Sequence, residues 1–492
     1  MGATIPMDSN SAMNRYELHY LRDINRLLGG GIKQAVGADG MASRQLWCMQ
    51  QLVASMAAER NAAGETGKRL LAQCREQLPL LREVISEPTL LANLERHCRA
   101  EAIPELANDI ARIAAALAAS PDPRATALLT QLVDLDVARW TGIDAEVARL
   151  SASATVPDRE TDPFNSEQRA RLAELLRKQC GEGPDLAITK VQALAGGFSK
   201  QTIMITLTGN QVLPAEVVVR RDRADSPVGS TVIDEFELLK SLHQSGMAVP
   251  RPFAIDKGSV IGDPIMIVSR IDGRNIGDTY DMYDLGCPGA VLTLAVQLAR
   301  LHRIPLSKLT RPLSGHDKSQ DEHLRGDIEE FRSHWQAQGE SSIVIEAAFK
   351  SLDARFASLP TEGRCITHRD MRFHNILVDA NGVTAILDWE TAAVGRPARD
   401  LGYVYRHIRQ LGDWSRFIDA YGEAGGEIPS DEELDFYRLW ADLLMTIWMY
   451  RARASYLASG GGNIQLAFAG ERMRQHNLSI LAETLRDVLR TT

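Results

Sequence analysis

Cysteine is scarce: the six in 492 residues (Cys48, Cys74, Cys98, Cys180, Cys287 and Cys365) form no CxxC pair and no Cys/His cluster at zinc-ligand spacing. This excludes a disulfide scaffold and a zinc module, and the cysteines read as reduced thiols. Long apolar runs are absent too, since no stretch reaches the ~18 apolar residues of a membrane span. The opening MGATIPMDSNSAMNRYELHY has neither the basic nor the apolar segment of a secretory signal. Pro6 stands where a myristoylation pattern requires Ser or Thr, so Gly2 is not read as a lipid acceptor. An excess of basic residues is also missing. The net charge of −9 and pI near 5.7 oppose nucleic acid or an anionic membrane as a partner, because both attract positive surfaces. Together these absences point to the cytoplasm.

What is present suits a folded protein of several parts. Apolar residues make up 45% of the chain, and its length calls for roughly two to four domains. Residues 1–150 are rich in Ala, Leu, Arg and Glu at helical intervals, as in RQLWCMQQLVASMAAER and NDIARIAAALAAS, so an all-helical domain is expected. Breaks fall at LLGGGIKQAVGADG, SEPT, AIPE and SPDPRA. No motif here carries chemistry, and the reading is a docking, helper or dimerisation module for a second copy or a protein partner. Residues 151–165, SASATVPDRETDPFN, lose periodicity and read as a linker. Asn165 and Gln168 then have capping-box spacing, which starts a helix. Residues 166–275 read as strands with one helix between them, and residues 276–492 as mainly helical.

One stretch interrupts the helical part. THRDMRFHNILVDANGVTAILDWE (367–390) places two strand-like runs around Asn381-Gly382, a pair expected to supply the positive φ angles of a tight turn. Within it His368, Asp370 and Asn375 have the spacing HxDxxxxN, and Asp388 closes the second run. Phosphoryl transfer needs a group that orients the attacking hydroxyl and accepts its proton, together with hard oxygen ligands for Mg²⁺ on the nucleotide phosphates. Asp370 suits the first task, Asn375 and Asp388 the second, and His368 organises the loop. A hairpin would bring both metal ligands to one mouth.

Upstream segments complete a nucleotide site. In AGGFSKQT, Gly196 and Gly197 let backbone N–H groups approach phosphates and Ser199 adds a hydroxyl. Arg220 ends the strand VVVRRD, where kinases place a phosphate-binding cation. Glu235, preferred over Glu237, is expected to brace it from the next helix. In MIVSRIDG the backbone from Ser269 to Ile271 is expected to meet adenine.

With these residues assembled, residues 187–450 resemble the aminoglycoside phosphotransferase-like family of small-molecule kinases. The segments LAGGFSKQT, VVVRRD, EFELLKSL, GDPIMIVSRIDGR and DWETAAVG resemble its branch associated with acyl-CoA dehydrogenases. The resemblance implies an α+β fold, bilobal and protein-kinase-like, with a small β-rich N-lobe and a larger helical C-lobe, here preceded by an all-α domain. It implies ATP and Mg²⁺ as cofactors, and the hydroxyl of a hydroxyacyl-CoA or hydroxy acid as phosphate acceptor. Family members read HGD where this chain has HRD at 368–370, and by likeness Asp400 is a structural acid under the catalytic loop. The acceptor site is expected among the C-terminal helices, where Arg451 and Arg453 are candidates for an anionic group and Trp440, Trp448 and Tyr450 read as core. That stretch is mixed in charge, which favours an acyl or hydroxy-acid acceptor over a polycationic antibiotic. An antibiotic kinase and a catalytically silent scaffold are the competing readings.

Overall fold

The computed structural model describes residues 40–101, 103–151, 163–194, 200–222, 230–277, 289–411, 413–459 and 464–490. Four helices come first: α1 (Gly40–Val84), α2 (Pro88–Ala100), α3 (Ile103–Ala118) and α4 (Pro123–Ser151). Pro88 and Pro123 each open a helix, where a missing backbone N–H does no harm.

Helix α5 (Ser166–Cys180) begins as its spacing requires: Gln168 N–H donates to Asn165 Oδ1 at 2.9 Å and Asn165 N–H to Gln168 Oε1 at 3.1 Å. It leads into an antiparallel sheet of β1 (Ala187–Leu194), β2 (Lys200–Thr208), β3 (Glu216–Asp222), β4 (Pro252–Lys257) and β5 (Pro264–Ser269), ordered β1-β2-β3-β5-β4. Helix α6 (Val232–Gln244) packs between β3 and β4 in sequence and against β4 and β5 in space. The sheet alternates as a two-faced strand must. Ile203, Ile205, Val217 and Val219 join Leu172 and Leu176 of α5 in the outer core, while Thr202, Met204, Val218 and Arg220 face the cleft below.

The second lobe contains helices α7 (Gly289–His302), α8 (Gln320–Gln336), α9 (Ile343–Arg355), α10 (Ala398–Gln410), α11 (Trp414–Glu423), α12 (Asp431–Ala458), α13 (Ile464–Phe468) and α14 (Arg474–Arg490). Two small sheets are set among them. In one, β6 (Arg274–Asn275) pairs with β8 (Ile376–Asp379), which pairs with β9 (Gly382–Ile386). In the other, β7 (Cys365–Thr367) pairs with β10 (Ala393–Gly395). The hairpin turn differs from expectation: only Gly382 has a positive φ, 125°, and Asn381 does not. Asp379 pairs with Gly382, and Asp379 Oδ1 accepts the Asn381 N–H at 2.7 Å, so the aspartate side chain closes the turn. Gly382 is needed for a second reason, because a Cβ there would lie 2.4 Å from Thr293 Oγ1 on α7.

The N-terminal helices share a core with the second lobe. Ile110, Ile113, Leu128 and Trp140 belong to one buried cluster with Val344 and Phe349 of α9, Trp440 of α12 and Leu481 and Leu485 of α14. Among the described residues no helix is long and apolar enough to cross a membrane, and the five described cysteines are thiols outside any disulfide.

Candidate active site

Strands β7 and β10 enter and leave the catalytic segment side by side, with Thr367 opposite Ala393. Directly after β7 the backbone turns into a left-handed conformation at Arg369, φ 69°. A side chain there costs about 1 kcal/mol or more, a cost that a glycine would avoid. The turn is held by Asp400, fully buried in the first turn of α10, which accepts the N–H groups of His368 and Arg369 at 2.8 Å each. Burial opposes a charge on Asp400, but the hydrogen bond from His302 and those backbone groups keep its carboxyl below the ordinary range. His302 in turn meets Asp400 Oδ2 at 3.2 Å and Tyr421 at 2.8 Å.

His368 is fully buried, and both ring nitrogens are used. The Leu387 carbonyl accepts from Nε2 at 2.9 Å, which fixes the tautomer, so Nδ1 accepts the Asp370 N–H at 3.2 Å. The residue organises the loop and has no free nitrogen with which to act as a base. Asp370 is presented by two donors: Asn375 Nδ2 at 2.9 Å to Oδ2 and Tyr403 Oη at 3.0 Å to Oδ1. Asn375 Nδ2 also donates to the Asp370 carbonyl at 3.0 Å. With its nitrogen turned inward, Asn375 directs its oxygen away from Asp370.

The hairpin brings Asn375 and Asp388 together, since Ile376 pairs with Ile386 and the Leu387 N–H donates to the Asn375 carbonyl at 2.8 Å. Asp388 also adopts a left-handed conformation, φ 64°. One amide and one carboxylate oxygen at a shared mouth are hard donors, and Mg²⁺ takes one or two such groups plus phosphates and water. The residues therefore fit a magnesium ion that arrives with a nucleotide.

Across the cleft, buried charge is arranged differently from the sequence reading. Arg220 lies in the field of Glu235, which favours its charge, but its close ion pair is with Asp388, whose Oδ1 is 2.8 Å from Nη2. The cation nearest Glu235 is Lys200, almost fully buried, with Nζ 3.7 Å from Oε2 and a short hydrogen bond to Glu390. Glu235 Oε1 also accepts the Trp389 N–H at 3.3 Å, which ties α6 to the end of the hairpin. Burial opposes a charge on Asp388, but Arg220 and Lys200 hold its carboxyl below the usual range. Burial and the neighbouring Asp388 push Glu390 up to about 7. Two cations thus face three carboxylates, Glu235, Asp388 and Glu390, a balance that leaves room for further positive charge.

Between sheet and hairpin lies a cleft of about 280 Å³ with an apolar slot formed by Met204, Val218 and Met266 above and Leu377 and Leu387 below. Ser269, Ile271, Arg220, Glu235 and Asp388 all line it. Ser269 N–H is already bound to the Arg251 carbonyl at 2.8 Å, so a base would be read by the backbone beyond it, toward Ile271. Gly196, Gly197 and Ser199 lie outside the described residues.

This geometry has relatives. A family model described as "Phosphotransferase enzyme family" matches residues 190–440. The chain belongs to the phosphotransferase enzyme family. Acyl-CoA dehydrogenase family member 11 is similar in sequence in chicken (Gallus gallus), 26% identical over 220 residues, and in humans (Homo sapiens), 27% identical over 225 residues. Each match covers 42% of this chain and 27% of the relative, so the chain spans about a quarter of those proteins. A solved structure from Ralstonia eutropha, provisionally named an aminoglycoside phosphotransferase, superposes with a TM-score of 0.50 at 18% identity. It covers 65% of this chain and 98% of that one, and shows a common bilobal fold.

Two sequence candidates for the acceptor are directed elsewhere in this phosphotransferase. Arg453 is buried 2.9 Å from Glu340, and Arg451 lies over the Trp448 ring at 4.1 Å. Trp440 and Tyr450 are core, as their spacing suggests. Lys200 was missed, although a signal existed. Period-two alternation back from Met204 through Thr202 places Lys200 on the cleft face, and Thr202 stands opposite Arg220.

Proposed function

We propose that this phosphotransferase moves the γ-phosphoryl group of ATP to a hydroxyl of a small organic acceptor. The observation that carries the reading is the Asp370 carboxylate, fixed by Asn375 and Tyr403 beside the mouth formed by Asn375 and Asp388. In the step itself the acceptor oxygen bonds to the γ-phosphorus as the bond to the β,γ-bridging oxygen breaks. Asp370 orients the hydroxyl and takes its proton, and ADP leaves. Asn375 and Asp388 would hold Mg²⁺, which would supply positive charge toward the phosphate oxygens. Arg220 sits where it can exchange Asp388 for a phosphate, while Lys200 keeps Glu235 and Glu390 in place. A site of this kind works where ATP is abundant, which fits the cytoplasm.

The acceptor class we favour is a hydroxy acid or hydroxyacyl compound. The name of the chicken and human relatives supports an acyl substrate, and arginines at 369, 372 and 399 surround the catalytic loop, which disfavours a polycation. The name given to the Ralstonia structure favours an aminoglycoside as the second reading. The N-terminal helices, whose apolar residues are spent on the second lobe, brace it, and any partner or second copy would meet their exposed faces.

ATP-dependent phosphorylation followed by mass spectrometry, over hydroxyacyl-CoAs, free hydroxy acids, simple alcohols and aminoglycosides, tests both readings. A gain of one phosphate on an acid or acyl compound, lost in Asp370→Asn, is expected. Phosphorylation of aminoglycosides alone would replace the acceptor, and no phosphorylation of any class would remove the reaction.

A further inference from the structure

Arg399, in the first turn of α10, is only 4% exposed, and its Nε, Nη1 and Nη2 are all buried with no hydrogen-bond partner among the described residues. An arginine keeps its charge, and a dry guanidinium without an acceptor is strongly disfavoured. Its surroundings do not neutralise it. The nearest carboxylate in its field, Asp327, is already bound by Arg369, and the other charged neighbour is Arg369 itself. His323, 4.0 Å from the second Asp327 oxygen, is kept toward the neutral form by burial. Tyr437 and Tyr403 complete the shell, and the Trp440 ring lies 5.1 Å away. Two arginines therefore share one aspartate, and one donor fork is left open.

The position of that fork matters. Tyr403, four residues on and so on the same helical face, is the residue that donates to Asp370 Oδ1 at 3.0 Å. The unmatched positive charge thus lies one helical turn from the residue that holds the carboxylate of Asp370. We infer that Arg399 and Arg369 form a subsite for a carboxylate that the acceptor carries within a few bonds of its reacting hydroxyl. This rests on the phosphotransferase reading above and narrows it to free short-chain hydroxy acids. The phosphates of a CoA thioester lie too many bonds from an acyl hydroxyl to reach Arg399 while the hydroxyl meets Asp370, and the thioester has no charge nearby.

Matched probes test it: 3-hydroxybutyrate, its methyl ester and its CoA thioester, given to the wild type and to Arg399→Met and Arg399→Lys. The acid is expected to be phosphorylated with a kcat/KM on the order of 100-fold above the ester, the usual scale for a buried charge contact. Arg399→Met should erase most of that preference through KM for the acid, with KM for ATP within about twofold, and Arg399→Lys should restore part of it. Thermal unfolding separates binding from architecture: 3-hydroxybutyrate should raise the melting temperature of the wild type but not of Arg399→Met. Arg399→Met without ligand should melt no lower than the wild type, since it loses a buried unmatched charge. Equal turnover of acid and ester, or preference for the thioester, overturns the carboxylate subsite and leaves the phosphotransferase reading intact. No Asp370-dependent phosphorylation of any probe overturns both.

Discussion

On the nucleotide side of the cleft, Lys200 and Arg220 each have a carboxylate within ion-pair distance, and the small excess of negative charge there suits an incoming cation. On the proposed acceptor side, in the helix whose Tyr403 holds Asp370, Arg399 has no hydrogen-bond acceptor among the described residues. Both regions bury charge, but one is balanced by the chain itself and the other is incomplete without something from outside. The difference follows the chemistry. Magnesium nucleotide binding is common to a family and can be built in, whereas acceptor choice is where relatives diverge, and an unmatched group there selects what completes it.

The comparison can be tested by disturbing each side. Asp370→Asn stands between them and should have the largest effect, a loss of turnover of roughly 10³-fold with nucleotide affinity kept, in the range of a removed general base. A steady-state assay paired with Mg·ATP titration would show it, and unimpaired turnover would remove Asp370 from the mechanism. Asp388→Ala should abolish Mg²⁺-dependent nucleotide binding and release Arg220. Calorimetric titration with and without Mg²⁺ measures this, and equal affinity in the variant would refute the metal role. Lys200→Met should leave Glu235 and Glu390 without their cation and destabilise the fold by about 3 kcal/mol, read as a lower urea midpoint. An unchanged midpoint would show that the nucleotide side is less tightly balanced than its geometry implies.

Asp136, in α4 and far from the cleft residues in sequence, offers a control for buried charge that has no task in the reaction. Burial pushes its carboxyl up to about 6 from 3.8, with Arg139 opposing. The folded state therefore holds the proton more tightly than the unfolded chain. Its contribution to stability is complete below pH 3.8 and is lost as the pH rises through about 6. Asp136→Asn should remove that slope and raise stability at pH 7.5 by at most about 3 kcal/mol, with acceptor KM unchanged. Urea unfolding at several pH values would check it. Smallest of all, Arg369→Gly should relieve about 1 kcal/mol of left-handed strain while giving up the Asp327 ion pair. The melting temperature should scarcely move and KM for the acceptor should rise.

The sequence shows its local rules and hides its long-range ones. The capping box at Asn165, four strands of the small lobe, the HxDxxxxN loop and the hairpin ending on Asp388 follow from spacing within about twenty residues, and they appear where expected apart from the conformation of the hairpin turn. Strand β4 is hard to read in the sequence because it is short and opens on Pro252, which cannot donate to a ladder. That Glu235 lies within ion-pair distance of Lys200, while Arg220 reaches Asp388, depends on side-chain reach across a sheet, which residue order does not reveal. Arg399 was invisible for a stronger reason. Its significance is the lack of a partner, and that can be seen only after every neighbour has been placed.

The shared core of the N-terminal helices and the second lobe has a consequence for synthesis. The apolar face of α4 emerges from the ribosome early, but α14, against which it packs, is made more than three hundred residues later. At about 5–20 residues per second, that face waits for a time on the order of half a minute with part of its core missing. A nascent chain in that state is a natural client for chaperones, and its yield in a cell depends on what shields it during the wait.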